Sequence, residues 1–209
     1  MKNIALILII ILTITACNSS SKESTKRAAK EAPKSVQNET TNKATPSADY
    51  ATLLIDYSCN LDIAEVAKVL GVPQDNLSIP EFKVPKKCAF NLKGFGEDSA
   101  GNGVRLLWGL SQSSKSQNKK EIQNYLKNQK ELPEKVRLGM SIALAETKDC
   151  YIAQQPAHGR VIICNENYDT AFILNYGRKG AFKRTQEQHD VLKAKMTDLA
   201  NYLLKKHRK

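Results

Sequence analysis

The sequence predicts an α+β domain over residues 50–209: an antiparallel sheet with helices packed on one face, carrying two disulfides. Three observations predict it. Capped, amphipathic helical segments occur in the order helix, strand, strand, helix, strands, helix, which suits hairpin pairing rather than a parallel sheet. Four cysteines, Cys59, Cys88, Cys150 and Cys164, form an even set. The 160 residues involved suit one domain with one core.

The first helix opens at Asp62, with Glu65 completing a capping box. Ile63, Val66, Ala67 and Leu70 share one face, and Gly71 ends the segment. Cys88 to Lys93 and Val104 to Leu110 read as partner strands around the turn-rich loop 94–103. A second helix is predicted from Lys119 to about Leu132, with Asn118 and Glu121 as capping pair and Ile122, Tyr125 and Leu126 as a short apolar stripe. Pro133 stops it. Residues 141–145 read equally as a strand or a helical turn. Residues 150–165 form a hairpin, and 170–176 supply a further strand. The last helix starts at Thr185, whose capping box uses Gln188, and runs to about Lys206. Its apolar face is expected to use Val191, Leu192, Leu199, Tyr202 and Leu203.

Three pairings of the four cysteines are possible, and hairpin geometry favours one. A three-residue loop 156–158, with Gly159 in the left-handed position, pairs residues whose numbers sum to 314. That register sets Cys150 opposite Cys164 and leaves Cys59 for Cys88. The alternatives are a four-cysteine zinc site, for which no two cysteines have the close spacing of structural zinc ligands, and reduced structural thiols.

No catalytic, metal or cofactor motif emerges. The three histidines are His158 in a hairpin turn, His189 in the first turn of the last helix and His207 in a basic tail. No nucleophile elbow accompanies them, and a solvated surface position is the expectation for each. The loop from Gly94 to Gly103 fails as a phosphate loop, because Ser99 stands at the third glycine position and a strand follows. Glu97 and Asp98 lack the spaced oxygen ligands of a calcium loop.

The formal net charge is +11, and residues 1–49 carry only seven Lys or Arg and four Asp or Glu, so the domain is itself basic. Two clusters stand out: Arg178, Lys179, Lys183 and Arg184 before the last helix, and Lys205, Lys206, Arg208 and Lys209 at the C-terminus. A tail that compensates the helix dipole accounts for the second. Contact with an anionic lipid, cell-wall polymer or acidic protein is the functional alternative for both. No aromatic-basic RNA motif appears, and nucleic acid is not an expected partner.

The N-terminus places the domain. Lys2 is followed by an almost unbroken apolar run from Ile4 to Ala16, then by polar Asn18-Ser19-Ser20. Such a run falls short of the roughly 20 residues of a permanent membrane span and has the layout of a signal peptide. Ile14-Thr15-Ala16-Cys17 resembles the lipobox of bacterial lipoproteins. That resemblance implies cleavage before Cys17, a diacylglycerol on its sulfur and acylation of the new amino terminus. Residues 1–16 are then a signal peptide. Residues 17–49, poor in large apolar side chains, form a lipidated tether with an end-to-end distance of about 30 Å. The resemblance implies an envelope location, with Asn18 permitting the outer membrane in a Gram-negative source; otherwise the outer face of the cytoplasmic membrane is implied. The run from Cys59 to Gly71, followed by Lys86-Lys87-Cys88-Ala89-Phe90, also resembles small cysteine-containing bacterial lipoproteins of unknown function. The expected protein is a lipid-anchored, non-catalytic binding or envelope-associated domain with an envelope protein or glycan as partner. The rivals are an envelope enzyme with a dispersed site and a basic domain attaching to anionic polymers.

Overall fold

Seven strands form one antiparallel sheet in a computed structural model that describes residues 48–209. The expected signal peptide, Cys17 and the expected tether as far as residue 47 lie outside the described residues. The strands are β1 (Leu77–Ser78), β2 (Lys87–Leu92), β3 (Val104–Gln112), β4 (Ser141–Leu144), β5 (Tyr151–Gln155), β6 (Arg160–Cys164) and β7 (Thr170–Asn175). Their spatial order is β1-β2-β3-β7-β6-β5-β4. The helices are α1 (Ala51–Leu54), α2 (Ile63–Leu70), α3 (Lys115–Glu131), α4 (Glu134–Arg137) and α5 (Gln186–His207).

Successive strand residues point to opposite faces, and the two faces of this sheet carry different cores. On the first, Phe90, Leu106, Trp108, Ile152, Val161, Ile163, Phe172 and Leu174 pack against α1, α2 and α5. α5 contributes Leu192, Met196, Leu199, Ala200, Leu203 and Leu204, whose i, i+4, i+7, i+8 spacing makes one stripe. Full burial of one such large side chain is worth about 2 kcal/mol. Val191, expected on this stripe, is 41% exposed. Trp108 sits at the centre: its indole donates to the Tyr57 hydroxyl at 2.9 Å and its ring stacks on Phe90.

The second face corrects the one-sided prediction. Ile142, Ala153 and Cys164 pack there against Ile122 and Tyr125 of α3. α3 therefore lies across the sheet from α5. It also begins earlier than predicted. Ser114 is the N-cap, accepting from the Gln117 N–H at 3.1 Å, and Asn118 is buried one turn inside the helix. The Asn118 amide donates to the carbonyls of Asn165, Tyr168 and Thr170, tying α3 to the β6–β7 turn. Leu126 faces solvent.

The expected Cys150–Cys164 bridge is absent. Cys59 and Cys88 are joined, while Cys150 and Cys164 are free and buried. The cause is hairpin length. Pro156–His158 form a 3-10 turn, Gly159 follows in the left-handed region, and Gln155 pairs with Arg160. The loop thus has four residues, the pair numbers sum to 315, and Cys164 lies opposite Tyr151. A one-residue shift sends a side chain to the other face. Cys150 belongs to the first core and Cys164 to the second, so the sheet itself separates the thiols.

Asp62 caps α2 by accepting from the Glu65 N–H at 2.7 Å. The Glu65 carboxylate turns instead to the Tyr202 hydroxyl and the Lys206 ammonium. Thr185 and Gln188 form the predicted box at the start of α5. At the other end of α5 the backbone of Asp49 and Lys209 pair in both directions, at 3.2 and 3.0 Å. Among the described residues no helix is long and apolar enough to cross a membrane.

Candidate functional site

β2, β5 and β7 run in one direction, since each is antiparallel to the strands beside it, and this gives the sheet two distinct ends. The chain enters the fold at the end where these strands start. The Tyr50 N–H donates to the Tyr168 hydroxyl at 2.6 Å in the turn before β7, and Thr170 donates to the Leu54 carbonyl. The opposite end carries a cleft of about 550 Å³.

Four pieces of chain build this cleft: Pro156 and Ala157 of the β5–β6 turn, Arg178 to Gly180 after β7, the first turns of α5, and the stretch from Glu134 to Gly139. On α5, Gln186, His189, Asp190 and Lys193 fall at i, i+3, i+4 and i+7 and share the lining face. The walls meet through close backbone contact. The Tyr176 N–H donates to the Gly159 carbonyl at 2.7 Å, and a Cβ on Gly159 would lie 2.0 Å from the Gly177 oxygen. Glycine is therefore required at position 159, where φ is also positive.

One wall is a polar chain. Lys179 Nζ donates to Gln186 Oε1 at 3.0 Å, Gln186 Nε2 donates to Asp190 Oδ2 at 3.1 Å, and Lys193 Nζ lies 3.6 Å from Asp190 Oδ1. The Gln186 hydrogen bond and then Lys193 hold the Asp190 carboxyl below its ordinary range. Arg178 is exposed and makes no ion pair among the described residues. The lining thus joins three cations to two carboxylates, Asp190 and Glu134. It lies beside the positive end of the α5 dipole.

His189 is buried, against the expectation of a solvated ring. Its Nε2 lies 3.0 Å from the Pro156 oxygen and its Nδ1 lies 3.4 Å from Arg184 Nη1. A carbonyl only accepts and a guanidinium only donates, so Nε2 carries the proton and Nδ1 accepts. Burial pushes the imidazole below its ordinary range, which keeps it neutral. Both ring nitrogens are engaged, and neither is free to take a proton from a substrate. His158 is exposed, and His207 is half-buried beside Thr52 and Tyr57.

The basic residues divide differently from their sequence clusters. Arg178 and Lys179 line the cleft, and Lys183 is exposed outside it. Arg184 is buried, lying against the rings of Tyr176 and Phe182, and donates to the Tyr176 carbonyl at 2.6 Å. Burial lowers its guanidinium to about 10, still protonated at neutral pH. At the entry end, Lys205 pairs with Glu146, Lys206 with Glu65, and Arg208 with the buried carboxylate of Asp149 at 3.4 Å. Asp149 also accepts from the Tyr50 hydroxyl at 2.7 Å. The C-terminal cluster is largely engaged within the fold, and among the described residues only Lys209 of its four cations has no ion pair.

Neither free thiol has the setting of a nucleophile. Burial pushes both Cys150 and Cys164 up to about 12, and the thiolate is the reactive form. Among the described residues no three His, Cys, Asp or Glu side chains group as a metal site. Sequence reasoning missed Glu134, Gln186, Asp190 and Lys193 as cleft residues. The helical spacing of the last three was readable, but nothing in the sequence announced that Pro156 and Gly139 would close the other side. No family model, curated protein or solved structure matches the chain.

Proposed function

We propose that this chain is a lipid-anchored cell-envelope protein whose domain is a non-catalytic binding module, with an anionic ligand held in the cleft at the end of the sheet opposite the chain entry. The observation that carries the reading is the cleft lining. Arg178, Lys179 and Lys193 supply cations, while the one histidine there is locked as a neutral structural group. Cations in excess of the two carboxylates, beside a histidine with both ring nitrogens engaged, favour binding over turnover. The anchor is Cys17, acylated after loss of residues 1–16, and two or three acyl chains would hold the protein durably. The second disulfide expected from the sequence is not part of the proposal.

The partner class is an envelope glycan or protein bearing phosphate or carboxylate groups. An outer-membrane location follows if the source is Gram-negative, and the outer face of the cytoplasmic membrane otherwise. The test is calorimetric titration of the full chain with polyphosphate, polygalacturonate and an uncharged dextran. The expected result is salt-dependent binding to an anionic polymer, weakened at least tenfold in Arg178→Ala/Lys179→Ala and unchanged in Lys205→Ala. Two removed cations at about 1 kcal/mol each correspond to that loss. Equal binding by the double variant, or binding of dextran alone, would overturn the assignment of the cleft.

A further inference from the structure

The connection between β1 and β2, Ile79-Pro80-Glu81-Phe82-Lys83-Val84-Pro85-Lys86, leaves large apolar side chains in water. Phe82 is 79% exposed and Ile79 60%, and Phe82 is the most exposed large apolar side chain among the described residues. Both border a groove of about 400 Å³ floored by Leu61, Ala89 and Phe90. Lys83, Lys86 and Lys87 are exposed around them, against the single carboxylate of Glu81. Two prolines keep the segment out of regular structure.

We infer that this loop is a second membrane contact, in which Phe82 and Ile79 enter the headgroup region of an anionic bilayer under Lys83, Lys86 and Lys87. The loop precedes β2 and the chain-entry turn precedes β7. These strands run in the same direction, so loop and entry lie at the same end of the sheet. A flexible chain from an acylated Cys17 to residue 49 would have a root-mean-square span of about 30 Å, so even a weak contact would be presented to the bilayer at high effective concentration. An aromatic and an aliphatic side chain ringed by lysines match the chemistry of an interface with anionic headgroups below and acyl chains beyond. Opposite charge and an apolar tip together favour lipid over an acidic protein, which would satisfy the lysines without needing Phe82 exposed at the rim.

The inference rests on the lipid-anchor reading, and its test separates the two. The membrane-extracted protein carrying Phe82→Trp is reconstituted into phosphatidylcholine vesicles with and without phosphatidylglycerol. Trp108 is fully buried and gives a constant background. The expected result is a blue shift of the indole at position 82, and its quenching by acyl-brominated lipid, in the anionic vesicles only. Ala100→Trp, in the loop at the opposite end, should show neither. Removing the charges by Lys83→Gln/Lys86→Gln/Lys87→Gln should weaken insertion roughly a hundredfold, at about fivefold per lysine. A water-like spectrum at position 82 in both vesicles overturns the inference. Intact mass of the same preparation reads acylation of Cys17 independently. If the acyl groups are absent, the same vesicles are added to the free protein and position 82 still reports on the loop.

Discussion

Reducing the bridge between Cys59 and Cys88 should lower the melting temperature of the domain by about 10 °C. The bridge spans 29 residues, and in the chain-entropy account releasing such a loop costs about 3.6 kcal/mol at 25 °C. For a domain of this size each kcal/mol moves the midpoint by about 2–4 °C. Reduction is the cleaner perturbation, because Cys88 is buried and its sulfur lies 3.2 Å from the Tyr57 hydroxyl that also receives the Trp108 indole. Truncating Cys88 to alanine would add a packing loss to the entropic one. The assay is thermal unfolding followed by circular dichroism, with and without a phosphine reductant, each sample checked by thiol titration in denaturant. Apart from Cys17, the count should be two thiols before reduction and four after. A midpoint shift below ~2 °C with four thiols titrating would refute the idea that this bridge restrains the unfolded chain appreciably.

Three further outcomes follow from the same geometry. Cys150 and Cys164, buried and with pKa pushed up to about 12, should resist iodoacetamide in the native protein at pH 8 and react fully in denaturant, as peptide mass mapping would reveal; rapid native labelling of either would contradict the burial. His189 and His207 both have their folded pKa lowered by burial from the ordinary 6.5. The unfolded chain therefore binds protons that the folded one refuses, so this part of the stability is present above pH 6.5 and is lost as pH falls below it. The melting temperature should decline between pH 7 and pH 5, less steeply in His189→Gln; an identical slope in the variant would remove His189 from the explanation. Asn118→Ala should destabilise the fold by about 2–4 kcal/mol in urea unfolding, because three backbone carbonyls lose a buried donor. A change below about 0.5 kcal/mol would show that water replaces the amide without cost.

The parts of this fold that were legible in the sequence are those governed by short-range chemistry. Asp62 and Thr185 as caps, Gly71 as a left-handed terminator and the strands around residues 88–93 and 104–110 all depend on neighbours a few residues away. The β5–β6 hairpin was readable as a hairpin, but one residue of loop length decided its register, and that reversed the fate of two cysteines. In the longer loop Gly159 gives its carbonyl to the Tyr176 N–H just past β7, a distant partner that no local pattern reveals. Asn118 looked like a cap because of its position before a helical stripe. Its true role depends on three carbonyls about fifty residues away. The placement of α3 was lost for a related reason: a weakly apolar helix such as this one does not say which face of a sheet it will cover.

The candidate site was half legible. Arg178 and Lys179 were singled out by charge and do line the cleft, whereas Arg184, singled out with them, is enclosed by Tyr176 and Phe182. Charge in a sequence marks solvent exposure only until an aromatic partner appears. The C-terminal lysines and arginine were read as a solvated tail compensating the helix dipole, yet Glu65, Glu146 and Asp149, all remote in sequence, take three of them. The Lys205–Glu146 pair is exposed and adds little stability, but all three pairs lower the net charge that the tail presents to a partner.

The most direct test of the account is the intact mass and N-terminal sequence of the protein extracted from membranes in detergent. The account predicts a mature chain beginning at Cys17, heavier than the polypeptide by a diacylglyceryl group and one further acyl chain, with Cys17→Ser remaining unlipidated and failing to partition into detergent. A chain that begins elsewhere, or an unmodified Cys17 in the membrane-extracted protein, would contradict it.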